Sequence, residues 1–363
     1  MTVAIVAARR TPIGTAGHGL ADQTAADLAA AVLPPVLADA GLTAAEVSEV
    51  VLGNCTGPGG DLARYAALQA GLGIGVPGLT VDRQCGSGLA ALVVGAALVE
   101  EGRAVIAGGV ESASTSARPE RAPFAPPELG DPEMGAAADL VASRAGVSRD
   151  RQDAYALRSH QRAVAAAERG VFDAELVGVG GLTRDERPRN GMSRQRLARM
   201  RPIFAADGTA TAGTSCGIND GAAAVALLAE VDRVRRGLPG LRIRSSATVA
   251  LSPRTPGLGI VPAVRAALGR AGVTLDDIAV IEFNEAFAGQ VLACCDELDL
   301  EPERVCLDGG AIALGHPWGA SGAILAVRLF SQLVRTGRIG ELGLAAIAVG
   351  GGQGVAMVVE SCR

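Results

Sequence analysis

The sequence predicts an α/β fold made of two similar halves, with a different segment inserted between them. Three observations support this fold class. The chain has 363 residues and is 49% apolar, which is enough for more than one domain or for one duplicated domain. The order of its apolar and amphipathic segments repeats. The composition also changes in the middle of the chain.

The first repeated unit is a helix, a turn and a strand. The segment AGLT at 40–43 precedes an apolar strand ending at Leu52, and AGVT at 271–274 precedes one ending at Phe283. In each copy an amphipathic helix ends at the Gly, a Thr starts the turn, and the strand follows. A polar turn comes after each strand, so the two segments predict the same local structure.

The second repeated unit is a glycine-containing turn, a long helix, a strand and then two or more glycines. GSG at 86–88 begins one copy, and GASG at 319–322 begins the other. Chance similarity between Ala-rich and Gly-rich helices is the alternative, but the shared order of four elements favours a duplication. The predicted elements are helices at 86–101 and 319–335 and strands at 104–107 and 344–348.

A segment rich in Pro and Arg separates the halves, and it includes a predicted helix at 149–169. We interpret it as a cap inserted between the halves. Small apolar residues from 211 to 228 then return the chain to the first sheet. The predicted boundaries are 1–115 plus about 214–238 for the N-terminal half, 116–213 for the cap, and 239–363 for the C-terminal half.

Charge and cysteine content exclude several classes of protein. A net charge of −5 argues against nucleic-acid binding, and the apolar segments are too interrupted to span a membrane. The seven cysteines are scattered without a CxxC pair, so we expect a reduced, cytoplasmic protein without a metal site. All 33 basic residues are Arg, which excludes Schiff-base chemistry on Lys.

Cys85 is the candidate nucleophile. It lies at a strand-to-helix turn and is followed by Gly86 and Gly88. A helix N-terminus directs free N–H groups and partial positive charge at the sulfur, which favours the thiolate, and glycines let a substrate approach the backbone. On these residues alone, a buried and inert cysteine is an equally good interpretation.

Three further polar turns could meet Cys85 if the halves are arranged alike. His316, one of three histidines, lies in a Gly-rich loop before a helix and could activate a cysteine, although a lone His is more often structural. Asn284 follows a strand, where a helix cap is the simpler interpretation. The glycines at 350–352 lack a following Lys and are a poor phosphate loop.

Together these segments resemble the signature blocks of the thiolase family, in that family's order and over nearly the whole chain. The resemblance implies a layered αβαβα fold with a cap. It also implies acyl transfer from a coenzyme A thioester, with no tightly bound cofactor. The matching blocks are VDRQCGSGL at 81–89, GGVES at 108–112, TAG at 211–213 with NDGA at 219–222, NEAFAGQ at 284–290, GGAIALGHPWGASG at 309–322 and GGGQGVAM at 350–357.

The resemblance also implies roles for individual residues. Cys85 is the group that is acylated, His316 activates it and helps bind the thioester oxygen, and Asn284 holds a water in that oxyanion hole. The backbone N–H groups of Cys85 and Gly352 form a second oxyanion hole. The residues implied to bind substrate or coenzyme A are Arg189, Met134, Glu133, Cys216, Ser215 and Trp318.

The chain departs from the family pattern at several positions. Ala348 stands where thiolases usually carry a second catalytic Cys, Glu133 where many biosynthetic members have His, and Cys216 where Ser is usual. A methyl group cannot remove a proton, so we expect slow thiolysis and a large gain in Ala348→Cys. Glu133 is an alternative base. The cap is also shorter than in tetrameric members.

The sequence therefore predicts a thiolase-type acyltransferase that joins or cleaves 3-ketoacyl thioesters through an acyl-Cys85 intermediate. Decarboxylative, ketosynthase-like condensation is one alternative, because loss of CO₂ needs no α-proton base. Acyl transfer to a non-carbon nucleophile is another, and a non-catalytic subunit is the least favoured. The donor is an acyl-CoA or an acyl carrier protein, and we expect a homodimer rather than a tetramer, with no nucleic-acid or membrane partner.

Overall fold

The structure is a computed structural model that describes residues 1–116 and 122–363; residues 117–121, in the predicted cap, lie outside the described part. The strands are β1 Val3–Arg10, β2 Gly14–Thr15, β3 Val47–Gly53, β4 Gly78–Val81, β5 Ala104–Ser112, β6 Asn219–Ala229, β7 Gly240–Ala250, β8 Ile278–Phe283, β9 Leu342–Val349 and β10 Gln353–Cys362. The helices are α1 Ala25–Asp39, α2 Leu62–Gln69, α3 Ser87–Leu98, α4 Met134–Arg144, α5 Arg149–Glu168, α6 Arg194–Ala198, α7 Glu230–Arg236, α8 Ile260–Ala271, α9 Ala288–Glu297, α10 Ala311–Leu314 and α11 Trp318–Leu333.

The strand order confirms the duplication. The strands of the described residues follow the order β4-β3-β5-β6-β1-β7-β10-β9-β8, with β2 beside β6. In the N-terminal half β3 and β5 are parallel, and β5-β6-β1 are antiparallel. In the C-terminal half β8 and β9 are parallel, and β9-β10-β7 are antiparallel. The halves therefore have the same topology and meet where β1 pairs with β7.

One strand differs between the halves. In the N-terminal half β4 extends the sheet by pairing in parallel with β3. At the corresponding edge of the C-terminal half, the residues that the structure describes form a single parallel bridge, between Val305 and Ile281 of β8. The second copy therefore keeps the position of this strand but not its length.

The apolar side chains form three clusters, which correspond to a layered αβαβα arrangement. The middle cluster contains residues of α3 and α11 between the two parts of the sheet. The other two lie under α1 and α2 on one outer face and under α8 and α9 on the other. Strands covered by helices on both faces are apolar throughout, which explains why their sequences lack polar alternation.

Glycines allow the central layer to pack closely. A Cβ on Gly88 in α3 would lie 2.7 Å from the Ala323 nitrogen in α11, and one on Gly109 in β5 would lie 2.1 Å from the Gly319 oxygen. The sequence predicts that the strand at 104–107 ends before Gly108, but β5 continues to Ser112. This prediction was wrong because these glycines serve close packing rather than a turn.

The cap region shares its core with the C-terminal half. Val141 and Ala142 of α4 and Tyr155 of α5 belong to the same apolar cluster as α8 and α9. Helix α5 confirms the predicted helix and ends one residue before its expected end. Within residues 1–116 and 122–363, no helix is both long and apolar enough to cross a membrane.

Candidate active site

Cys85 lies at the tip of a tight turn between β4 and α3. Gln84 has a φ of 46°, a left-handed conformation that is uncommon for a residue with a side chain. The Arg83 N–H donates to the Ser87 hydroxyl at 2.8 Å, and that hydroxyl donates to the Gln84 carbonyl at 2.6 Å. A Cβ on Gly86 would lie 2.6 Å from Val349, so glycine is required beside the nucleophile. The turn therefore holds Cys85 in a fixed position.

The Cys85 thiol is not activated in the free site. Burial, together with the nearby Cys216 and Glu111, raises the pKa of the Cys85 thiol to about 12, although its own backbone N–H acts in the opposite direction. The sequence-based expectation of a favoured thiolate was wrong, because desolvation outweighs the helix N-terminus. Cys85 therefore needs a base at the moment it attacks.

His316 lines the same cavity and is the candidate for that base. Its Nδ1 lies 2.5 Å from the Ser321 hydroxyl, which itself donates to the Pro317 carbonyl at 3.1 Å. We assign the imidazole proton to Nδ1, because the Asn284 Nδ2 group can only donate and therefore faces the Nε2 lone pair. Asn284 Nδ2 lies 3.4 Å from Nε2. Burial lowers the pKa of His316 to about 4, so the ring is neutral near pH 7.

The backbone of His316 is also fixed, by a contact from the other half. Its N–H donates to the Asn219 side chain in β6 at 2.9 Å. Nearby, the buried Glu111 carboxylate accepts bonds from the Asn54 side chain at 3.1 Å and from the Gly319 N–H at 3.1 Å. Glu111 therefore ties the loop after β3 to the start of α11. The sequence signal for this role of Glu111 is an acidic residue inside an otherwise apolar strand.

Cys85 and His316 line one cavity of about 120 Å³. The structure brings six of the sequence-predicted residues to this cavity, and the rest of its lining is mainly apolar. The predicted residues are Cys85, Met134, Cys216, His316, Trp318 and Ala348; the others are Ala137, Ala138, Pro256, Gly257, Ala286, Phe287, Gln290, Val349 and Gly350.

Two predicted backbone and amide groups lie differently from expectation. Asn284 lines a smaller neighbouring cavity of about 20 Å³, which is large enough for a water, and reaches the main site through His316. Gly352 is not part of the cavity lining, whereas Gly350 is. A Cβ on Gly352 would lie 2.5 Å from the Leu251 carbonyl, so Gly352 serves packing.

Three predicted binding residues lie outside the cavity. Ser215 is buried, and its hydroxyl donates to the Thr211 carbonyl at 2.7 Å. Glu133 is an exposed residue immediately before α4, and Arg189 is exposed on the cap. In contrast Phe287 and Gln290, in the NEAFAGQ segment, line the cavity although they were not assigned to it.

Arg187 is a half-buried cation beside Cys216. Among the described residues its Nε is buried without a hydrogen-bond partner, and its Nη2 reaches only the Ile312 carbonyl, at 3.5 Å. A Cβ on Gly217 would lie 2.3 Å from Arg187 Nη1. Burial raises the pKa of the Cys216 thiol to about 12, and Arg187 opposes that rise. Across 1–116 and 122–363, no three His, Cys, Asp or Glu residues could hold a metal ion.

Comparison with known proteins gives full-length matches. Residues 3–231 match the thiolase N-terminal domain, and residues 239–361 match the thiolase C-terminal domain. YhfS of Bacillus subtilis is 44% identical, with 99% of each chain covered. An acetyl-CoA acetyltransferase of Pseudomonas aeruginosa is 41% identical, with 98% of each covered. The crystal structure of the Bacillus anthracis acetyl-CoA acetyltransferase superimposes with a TM-score of 0.91, over 99% of this chain and 98% of that one. The two sequences are 36% identical.

Proposed function

This chain belongs to the thiolase family and is a thiolase-type acyltransferase that uses a coenzyme A thioester, and we propose that it works through an acyl intermediate on Cys85. The observation that carries the proposal is the cavity that Cys85 and His316 share. A thiol of high pKa and a neutral imidazole form a nucleophile and its general base.

In the proposed acylation step, His316 Nε2 takes the Cys85 proton while the sulfur attacks the thioester carbonyl. The Cys85 S–C bond forms, and the bond from that carbon to the coenzyme A sulfur breaks. Asn284 and a water in the neighbouring cavity support the oxygen of the incoming thioester. The backbone N–H groups of Cys85 and Gly350 are the proposed donors to the acyl-enzyme oxygen, because Gly350 and not Gly352 lines the cavity. Loss of one such donor typically costs about 10²–10³-fold in rate.

The cap is the proposed binding surface for the coenzyme A moiety. Phe204 of the cap lies edge-on to Phe287, with ring centroids 5.7 Å apart, and Phe287 lines the cavity. The cap therefore borders the site. Exposed guanidinium groups on the same segment fit the phosphates of coenzyme A, and an acidic carrier protein would meet the same surface. These exposed residues are Arg184, Arg189, Arg194, Arg196, Arg199 and Arg201.

We also propose a cytoplasmic homodimer. All seven cysteines are free, as expected in a reducing compartment. Strand β4 is a sheet edge, and exposed apolar side chains lie on it and near it. An unprotected edge with an apolar surface is a site for pairing between copies. These side chains are Tyr65, Leu68, Ile74 and Leu79. The shortened cap remains our reason to expect a dimer rather than a tetramer.

A second candidate function rests on Ala348. Its methyl group lines the cavity and cannot act as a base. Decarboxylative condensation would need no α-proton base, so Cys85, His316 and Asn284 would suffice for it. Either reaction starts with the same acyl-Cys85 intermediate.

Exchange of labelled coenzyme A into acetyl-CoA tests the acyl transfer itself. The wild-type chain is expected to catalyse the exchange, because an acyl-enzyme releases and recaptures coenzyme A. Cys85→Ser is expected to lose it by about 10⁴-fold or more, as when the nucleophile of a catalytic group is removed. Cys362→Ser, whose sulfur donates to the Gly240 carbonyl at 3.3 Å, is the matched control and keeps the activity. Equal exchange by wild type and Cys85→Ser would refute the proposal.

A further inference from the structure

We propose that Cys216 is the second catalytic thiol of this chain, which removes the α-proton of acetyl-CoA during carbon–carbon bond formation and returns it during thiolysis. The inference rests on the acyl-Cys85 intermediate proposed above. Cys216 would then carry out the proton transfer that the methyl group of Ala348 cannot perform.

The first argument is the composition of the cavity. Of the residues that line it, three have side chains that can give or take a proton: Cys85, His316 and Cys216. The attack of the sulfur on the thioester carbonyl uses the first two. Cys216 is the remaining candidate, and it lies close enough to Cys85 to raise the pKa of that thiol.

The second argument is that the backbone holds Cys216 in place. The Cys216 N–H donates to the Ala286 carbonyl at 2.9 Å, and the Ala288 N–H donates to the Thr214 carbonyl at 2.9 Å. Ser215 pairs with Phe287 between these two bonds. The segment before β6 is therefore joined to the turn that leads into α9, and both line the same cavity. A proton-transfer group needs this kind of fixed position.

The third argument is Arg187. A guanidinium group with a buried, unpartnered N–H is costly, and a thiolate on Cys216 would supply the missing partner. The Arg187 Nε has no partner among the described residues, and its guanidinium group adjoins Gly217, the next residue after Cys216. Serine at position 216 could not use this cation in the same way, since a hydroxyl is a far weaker acid than a thiol.

The other acidic residues near the cavity accept hydrogen bonds elsewhere or lie outside the cavity lining. Glu111 accepts bonds from Asn54, Thr56 and Gly319. Asp139 accepts from the backbone N–H groups of Thr209 and Ala210. Neither carboxylate is part of the cavity lining, and Glu133 lies on the surface.

The proton balance closes with Cys216 in this role. During acylation His316 takes the Cys85 proton, and the Cys216 thiol gives its proton to the departing coenzyme A sulfur, leaving a thiolate beside Arg187. The Cys216 thiolate then removes an α-proton from a second acetyl-CoA. The carbanion attacks the acyl carbon, the C–C bond forms, and the bond to Cys85 breaks. His316 returns its proton to Cys85, so all three groups regain their starting forms.

The test is solvent exchange of the acetyl-CoA methyl hydrogens in D₂O, measured beside the intact mass of the acylated protein. Wild type is expected to incorporate deuterium. Cys216→Ser is expected to slow incorporation by about 10²–10⁴-fold, the range for loss of a general base, while an acylated mass still forms. The double variant Cys216→Ser/Ala348→Cys is expected to regain exchange, because a thiol returns to the cavity. A purely structural role of Cys216 would not give this rescue.

Arg187→Gln sharpens the test, since it removes the cation but keeps both thiols. We expect slower incorporation of deuterium into acetyl-CoA. We also expect that alkylation of Cys216 needs a higher pH than in wild type, because the thiolate loses its neighbouring cation. Two results would overturn the inference: deuterium exchange at the wild-type rate in Cys216→Ser, or no exchange in the wild-type protein although Cys85 is acylated. The second result would favour decarboxylative condensation. Failure to acylate wild-type Cys85 would instead refute the proposed function.

Discussion

The start of α3 in the N-terminal half and the start of α11 in the C-terminal half are equivalent positions of the duplicated fold. Cys85 precedes the first helix and His316 the second, and both face one cavity. They are held differently. Cys85 depends on a turn with one left-handed residue, Gln84, whereas hydrogen bonds fix His316 at both its backbone and its ring. Under the proposed mechanism, one half of the duplication supplies the nucleophile and the other half supplies its base.

Removing the base should have the largest effect. In His316→Gln no group takes the Cys85 proton, so the rate of Cys85 acylation is expected to fall by about 10²–10⁴-fold. Rapid-quench mass spectrometry with acetyl-CoA measures this rate directly. His18→Gln, an exposed histidine outside the cavity lining, is the control. An acylation rate within a few-fold of wild type would show that the C-terminal half does not supply the base.

The contact between the halves should be sensitive to a single methyl group. Gly109→Ala would place a Cβ 2.1 Å from the Gly319 oxygen, so we expect a loss of about 1–3 kcal/mol in the free energy of unfolding. Gly269→Ala in α8 is the matched control, because no atom lies within 4 Å of its new Cβ. There the helix is expected to gain about 0.5–1 kcal/mol. Urea titrations measure the free energy of unfolding of both variants. Equal values for Gly109→Ala and Gly269→Ala would contradict the close packing of the halves.

The smallest expected effect is that of pH on the rate of Cys85 acylation. Burial lowers the pKa of His316 to about 4, and the neutral ring is the proposed base. Activity is therefore retained as pH falls from 8 to 5 and is lost only as pH approaches 4. An ordinary histidine would lose activity around pH 6.5. Acylation rates measured between pH 5 and 8 test this, and a decline centred near 6.5 would mean that His316 is not desolvated.

Sequence patterns identified the parts of the site that depend on local structure. Cys85 and His316 could be placed because glycine-rich turns before helices recur at equivalent points of the duplication. The duplication itself is visible in the order of elements and is confirmed by the strand pairing. The αβαβα layering followed from the family resemblance.

Other features depend on distances that a sequence does not contain. The pKa of Cys85 is set by burial, which outweighs the local helix effect. Gly350 and Gly352 belong to one glycine run, and the sequence does not show that Gly350 rather than Gly352 lines the cavity. Arg187 and Cys216 are far apart along the chain, so their proximity appears only in the folded protein.

The most direct test of the account is to locate the acyl group. The protein is incubated with acetyl-CoA, quenched in acid and digested, and the peptides are sequenced by mass spectrometry. We predict a single acetyl thioester on Cys85, present in wild type and absent from Cys85→Ser. An acetyl group on another cysteine, Cys216 included, or an undiminished adduct in Cys85→Ser would contradict the assignment of Cys85 as the nucleophile.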